Sequence, residues 1–239
     1  MAFRAQIFAD RRDAGRRLAA ALEHLKDQAP VVLALPRGGV PVGFEVAKAL
    51  KAPLDVLLVR KIGAPGHEEL GVGAVVDGPE PQIVVNQEIA QHLGLTRAWI
   101  EEGAKRQLEE IERRRKLYLG DVPPVPLEGR TAVVVDDGIA TGGTVHAALK
   151  ALSRSSARRV VLAVPVAPPE TIAQLKGETD EVVCLETPDP FMAVGIFYAD
   201  FAQTGDEEVV RLLKEARAWA PASAANRPGG PEPRPSPRG

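Results

Sequence analysis

Apolar residues in this chain fall into two patterns that alternate. Short runs at 31–35, 55–59, 132–135, 159–165 and 181–185 are rich in valine and leucine and almost unbroken by polar residues. Such runs suit strands buried on both faces of a parallel sheet. Between them, apolar residues recur at helical spacing. Leu18, Ala21, Leu22 and Leu25 share a face within 10–27, and Val42, Val46, Ala49 and Leu50 do so after Pro41. Val145, Ala148, Leu149 and Leu152 follow the central run, with further helices expected at 169–176 and 206–219. Strand and helix in alternation predict an α/β fold with an open, mostly parallel, doubly wound sheet.

The stretch 62–120 departs from this rhythm. Residues 62–70 read Ile-Gly-Ala-Pro-Gly-His-Glu-Glu-Leu, which predicts a mobile loop. Val72–Val76 and Gln82–Val85 flank a turn-rich segment and predict a hairpin. Residues 96–118 predict a long polar helix capped by Thr96. Glu101–Lys105, Glu102–Arg106, Glu109–Arg113, Glu110–Arg114 and Glu112–Lys116 are spaced as i,i+4 pairs along it. Its apolar stripe, Ile100, Ala104, Leu108 and Ile111, is narrow, so the helix is expected to protrude from the core or to pack on a partner subunit.

Composition narrows the function classes. A net charge of -2 over 239 residues argues against a nucleic-acid partner. No apolar run approaches a membrane span, so no membrane partner is expected. Charges occupy the N-terminus where a signal peptide needs an apolar core, which points to the cytoplasm. Cys184 is the only cysteine; within the apolar run 181–185 it reads as a small core residue rather than a nucleophile. Residues 1–219 are expected to form one domain, and 220–239, with six prolines and no large apolar side chain, a disordered tail.

The candidate chemistry lies where the apolar run Ala132–Val135 ends in Asp136-Asp137 and then in Gly138-Ile139-Ala140-Thr141-Gly142-Gly143-Thr144. The free N–H groups of a helix's first turn, together with its dipole, favour an anion. Glycines let the backbone come close, and the threonine hydroxyls add donors. Carboxylates repel phosphate, so the acidic pair must serve sugar hydroxyls, or a cation that itself holds phosphate. Phosphate at one end and a diol at the other describe a ribose 5-phosphate. A second strand–loop–helix unit carries Pro36-Arg37-Gly38-Gly39, where backbone N–H groups and a guanidinium make another anion site. Arg60 and Lys61 end the run 55–59, where open α/β sheets bind ligands. If the strands before Arg37 and Asp136 are neighbours at a topological switch point, one ligand can bridge both loops. Four of the ten aromatic residues fall within 187–201; they could stack a planar base or build a small satellite core.

Residues 131–144 resemble the phosphoribosyl pyrophosphate (PRPP) signature of the type I phosphoribosyltransferases: four apolar residues, two acids, then a Thr-Gly-Gly-Thr loop. About twelve positions in a row are constrained, which makes the likeness specific. It extends over about residues 5–215. The resemblance implies PRPP and a nitrogenous base as ligands, Mg²⁺ as cofactor, and transfer of the phosphoribosyl group to a ring nitrogen with release of pyrophosphate. It implies that Thr141, Gly142, Gly143 and Thr144 hold the 5-phosphate, that Gly138, Ile139 and Ala140 also contact the substrate, and that Asp136 and Asp137 take the ribose hydroxyls, Asp136 also serving the metal. Arg37, Gly38 and Gly39 match the pyrophosphate loop, with Arg60 and Lys61 beside it. Residues 62–70 match a lid, where Glu68 and Glu69 are candidates for proton handling. Residues 186–204 match a hood, in which Phe191 holds the base-stacking position and Asp200 lies one residue from a metal position of some relatives. Enzymes for 6-oxopurines carry Asp where this chain has Ala140, which disfavours hypoxanthine and guanine. Relatives are often homodimers. Some proteins on this fold sense PRPP without catalysis; they carry an added nucleic-acid domain or a basic face, and neither is evident here.

Overall fold

The computed structural model describes residues 6–78 and 81–219, so the tail at 220–239 lies outside the described residues. Five parallel strands form the central sheet: β1 (Pro30–Ala34), β2 (Leu54–Val56), β6 (Thr131–Val135), β7 (Arg159–Val166) and β8 (Glu181–Glu186), in the order β2-β1-β6-β7-β8. Because strand side chains alternate, each strand supplies two cores. Val32, Ala34, Val133, Val135, Val161 and Ala163 face α1 (Arg11–Ala21), α2 (Gly39–Leu50) and α7 (Asp206–Ala216). Val31, Leu33, Ala132, Val134, Leu162 and Val164 face α5 (Gly143–Leu152) and α6 (Pro169–Leu175). The sheet is therefore doubly wound, as the unbroken apolar runs require.

From β1 the chain crosses through α2 to β2 on one side, and from β6 through α5 to β7 on the other. The switch point thus lies between β1 and β6, which pair in register from Pro30↔Thr131 to Ala34↔Val135. Their carboxyl ends open the crevice where such sheets take ligands.

A second sheet, β3-β4-β5, is antiparallel and comprises β3 (Val59–Ala64), β4 (His67–Val76) and β5 (Gln82–Val85). The β4–β5 hairpin lies where the alternation placed it. Two expectations need correction. The run 55–59 is not one strand: β2 stops at Val56, and Val59 opens β3 in the other sheet. Residues 62–70 are not a loop, because Pro65 and Gly66 close a two-residue turn with Ala64 opposite His67. Proline followed by a glycine at φ +73° fits such a turn, a signal outweighed by the charged residues after it. Side chains of Glu68, Glu69 and Leu70 lie outside the described part of the structure.

A short helix, α3 (Gln87–His92), leads to the long polar one, α4 (Arg97–Leu119). Thr96 caps α4 through its hydroxyl, 3.2 Å from the Trp99 N–H. Its polar faces project, but its stripe is anchored: Ala104, Ile111, Tyr118 and Leu119 are buried in the core it shares with α2 and α7. Glu110–Arg114 closes at 2.6 Å, and Glu110 also takes Arg113 at 2.8 Å, the partner that spacing assigned to Glu109. β8 is an edge strand and only half-buried, Cys184 included, so it is not the fully buried strand its composition suggests. Burial still pushes the Cys184 thiol up to about 11, which suits an inert residue. No helix among the described residues is long and apolar enough to cross a membrane.

Gly66→Ala should weaken the β3–β4 turn by about 1 kcal/mol, since an L side chain is strained at its positive φ. Hydrogen exchange should speed up in β3 and β4 while the parallel sheet keeps its protection.

Candidate functional site

Strand β6 delivers Asp136 and Asp137 to the switch point, and β1 delivers Pro36-Arg37-Gly38-Gly39 beside them. The Leu35 N–H donates to the Val135 carbonyl at 2.9 Å, extending the ladder to the edge of both loops. Past that point the loops touch. A methyl group on Gly38 would sit 1.9 Å from Asp137 Oδ2, and one on Gly39 would sit 2.7 Å from the Val135 carbonyl oxygen. Only glycine fits at either position, so the pair is needed for close approach.

Each carboxylate has a distinct setting. Asp136 Oδ1 accepts the Asp137 N–H at 2.9 Å. Asp137 Oδ2 accepts Arg11 Nε at 2.7 Å, and the Asp137 carbonyl accepts the Tyr198 hydroxyl. Arg11 is fixed on three sides: it also donates through Nη1 to the Ala202 carbonyl at 2.7 Å and lies 3.8 Å over the Phe201 ring. Burial, and then Asp137, push the Asp136 carboxyl well above the usual range. Burial raises Asp137 too, against the pull of Arg11.

The loop 138–142 runs under the 186–204 segment. A methyl on Gly138 would meet Val194 Cγ1 at 2.5 Å, and Ile139 N–H donates to the Val166 carbonyl at 2.9 Å. Thr171 ties down the Ala140 carbonyl at 3.1 Å. Gly142 then caps α5, leaving Ala140, Thr141 and Gly143 exposed or half-exposed and Thr144 accessible beside them.

The structure therefore gathers Gly38, Gly39, Asp136, Asp137 and the loop from Gly138 to Thr144. Arg37 stems from the same cluster and leans to Asp206 at 3.8 Å, one-third exposed. Arg60 and Lys61 part company, because neighbours on a strand face opposite ways. Arg60 donates to Gln107 of α4 at 3.2 Å, while Lys61 lines a cleft with Gly143 and His146 of α5. That corrects their expected place as a joint cationic strand end: β3 belongs to the antiparallel sheet. The aromatic cluster builds a satellite core, with Phe8, Phe197 and Tyr198 buried and Phe191 half-buried at its rim, 5.2 Å from Phe197. Asp200 is exposed, and its Oδ1 accepts the Ala202 N–H at 2.9 Å within its own turn. Among the described residues no group of three or more His, Cys, Asp or Glu is placed to hold a metal ion.

Arg11 and Tyr198 were not among the candidates read from the sequence. One signal existed: Arg11 and Arg12 occupy the first turn of α1, where cations oppose the helix dipole. Each has an acid of another element as partner, Asp137 for Arg11 and Glu45 for Arg12.

A model of the phosphoribosyl transferase domain matches residues 5–199. The chain belongs to the phosphoribosyl transferase domain family. Within this family, Rv0571c of Mycobacterium tuberculosis H37Rv, provisionally named a phosphoribosyl transferase, is 49% identical over 220 residues, which cover 92% of this chain and 49% of that protein. The chain spans about half the length of the curated relatives it matches. The crystal structure of TT1426 from Thermus thermophilus superposes with a TM-score of 0.77 at 45% identity, covering 90% of this chain and 99% of that one.

Two variants of this phosphoribosyl transferase domain test the electrostatics. Arg11→Ala leaves Asp137 half-buried without its cation and should lower stability by about 2–3 kcal/mol at neutral pH. With Arg11 gone, the folded-state pKa of Asp137 rises further. The deficit against wild type grows as pH climbs toward that raised value, is complete above it, and shrinks on acidification. Denaturant melts at pH 5 and pH 8 should therefore show the larger deficit at pH 8. Asp136→Asn keeps an acceptor for the Asp137 N–H and removes the charge. It should stabilise the unliganded fold by about 1 kcal/mol at neutral pH, measured the same way.

Proposed function

We propose that this chain transfers the 5-phosphoribosyl group of PRPP to a ring nitrogen of a nucleobase or related heterocycle, releasing pyrophosphate. The contact between the Arg37-Gly38-Gly39 loop and the Asp136-Asp137 pair carries this reading. It sets a loop bearing a cation, two carboxylates and the N-terminal turn of α5 along one crevice edge. A pyrophosphate-bearing pentose phosphate has that sequence of groups.

In this reading the exposed N–H groups from Thr141 to Thr144 take the 5-phosphate, with Lys61 close to the same turn. Asp136 and Asp137 accept the ribose hydroxyls. Their negative charge also stabilises the oxocarbenium-like sugar as the bond from C1 to the pyrophosphate oxygen breaks and the bond from C1 to the base nitrogen forms. Arg37 and the N–H groups of Gly38 and Gly39 neutralise the departing pyrophosphate. The proton released from the base nitrogen goes to Glu68 or Glu69 of β4. Phe191, at the rim of the aromatic cluster, offers a face for the base.

The donor set suits Mg²⁺: two hard, half-buried carboxylates, both destabilised by burial in their ionised forms. Asp136 would hold the ion together with oxygens of the substrate, and the ion would supply positive charge at the pyrophosphate. Asp200 Oδ1 is engaged by the Ala202 N–H in its own turn, so this reading gives the ion to Asp136.

The test is pyrophosphate release from PRPP and Mg²⁺ across a panel of purines, pyrimidines and small nitrogen heterocycles. Release with one acceptor is expected, and Asp136→Asn with Asp137→Asn should lower turnover by about 10³-fold while leaving circular dichroism unchanged. PRPP binding without release across the panel would favour a PRPP sensor. No PRPP binding would overturn the assignment.

A further inference from the structure

Helix α7 begins with Asp206, a carboxylate in a first turn, where the helix dipole favours negative charge. Two groups from other elements meet one oxygen of it. The Tyr118 hydroxyl, from the last turn of α4, donates to Asp206 Oδ1 at 2.6 Å. Arg37 Nη1, from the loop after β1, lies 3.8 Å from that same oxygen. The first contact is a hydrogen bond; the second is too long to be one. The Arg37 guanidinium is one-third exposed and makes no hydrogen bond among the described residues. It is attracted to Asp206 without being engaged by it, and its donors stay open.

The two partners differ in freedom. Tyr118 is buried in the core that α4 shares with α2 and α7. Arg217, at the far end of α7, donates through Nη2 to the Leu119 carbonyl at 3.2 Å and ties the two helices together. Burial, and then Asp206, push the Tyr118 hydroxyl up to about 12, so it remains a donor at neutral pH. Tyr118 and Asp206 are thus fixed to each other, and Arg37 is the group that can move.

A carboxylate beside a guanidinium competes with any anion for it. With its Oδ1 free, Asp206 could close on Arg37 in a charge-assisted hydrogen bond, which an arriving anion would have to break. Tyr118 occupies that oxygen. We propose that Asp206 and Tyr118 are positioning residues for Arg37: Asp206 draws the guanidinium to the start of α7, and Tyr118 keeps that hold loose enough for pyrophosphate to take the guanidinium over. This rests on the reading that Arg37 meets pyrophosphate. It predicts effects of opposite sign at two neighbouring residues that do not touch the ligand. Asp206→Asn keeps an acceptor for Tyr118 and removes the competing charge, so pyrophosphate binds more tightly. Tyr118→Phe frees Oδ1 for Arg37, so pyrophosphate binds more weakly. Mere loosening of the α4–α7 packing would weaken binding in both.

The test is calorimetric titration of the full chain with inorganic pyrophosphate in a Mg²⁺ buffer. Asp206→Asn should bind about threefold more tightly than wild type and Tyr118→Phe about threefold more weakly, the scale of a partly exposed ion pair. Arg37→Ala should weaken binding about tenfold. Added to Arg37→Ala, either of the other substitutions should change affinity by less than about 1.5-fold, because the partner they act through is gone. If Tyr118→Phe does not fold, Asp206→Asn alone and on Arg37→Ala decides the matter. Shifts of the same sign, affinities equal to wild type, or an Asp206→Asn effect that survives in Arg37→Ala would overturn the proposal while leaving the pyrophosphate loop standing. Wild-type protein that does not bind pyrophosphate, or binding that Arg37→Ala leaves unchanged, would overturn the reading of the loop and the proposal with it.

Discussion

Placing Asp136 and Asp137 side by side at the buried end of β6 raises the free energy of both ionised forms, since burial desolvates each and the charge of Asp137 adds to the cost at Asp136. Much of the surrounding structure answers that constraint. The Asp137 N–H turns to Asp136, Arg11 supplies a cation to Asp137, and Tyr198 holds the Asp137 carbonyl in place. The glycine loop from β1 can come against the pair only because it lacks side chains there. Arg11 in turn needs α1 docked, which the buried Leu18 and Leu22 ensure, and Ala202 and Phe201 to hold its other side. One unfavourable placement thus ties together the first helix, the centre of the sheet and the segment before α7.

The parallel sheet, its helices and the acidic strand end were legible because their signals are local. An unbroken apolar run means burial on both faces, and a glycine loop before a helical stripe means a β-to-α turn. The neighbourhood of β1 and β6 was legible only as a condition, since strand order depends on long-range pairing that no window of sequence contains. The start of the antiparallel sheet was hidden for a related reason. Leu57, Leu58 and Val59 continue the apolar run of β2, and hydropathy does not mark where the chain leaves one sheet for the other. Arg60 and Lys61 inherited that error: as a strand end they form one cationic patch, but within β3 they must face apart. Glu110 taking both Arg113 and Arg114 shows the same limit at smaller scale, because i,i+3 and i,i+4 spacings compete for one carboxylate.

The second sheet also explains why a cleft opens beside the parallel sheet. Its residues Ala74, Val76 and Val84 join the core beneath β1 and β6, so one face of the parallel sheet is covered partly by α5 and partly by strands. A helix and a twisted antiparallel sheet do not fill a common plane evenly, and the remaining space falls where Asp55, Asp77 and Arg115 meet. Those charges come from β2, the end of β4 and α4. The three elements share no local pattern, so nothing in the order of residues announces the cluster.

Arg11 sharpens the question of how the acidic pair can be both strained and ordered. A carboxylate left fully unpaired in that setting would tend to protonate, and a protonated acid is a poorer acceptor for a sugar hydroxyl. A carboxylate saturated with partners would have nothing left to offer. Arg11 engages one oxygen of Asp137 and stabilises its charge while Oδ1 stays outside that contact, and Asp136 keeps one oxygen beyond its bond to the Asp137 N–H. The pair is therefore held ionisable and fixed in orientation, with its remaining acceptors directed by the bonds already made. Hydroxyl donors or a cation arriving at those acceptors would relieve the desolvation that the fold imposes. In that way, part of the instability built into the unliganded protein would become affinity for a ligand bound as proposed.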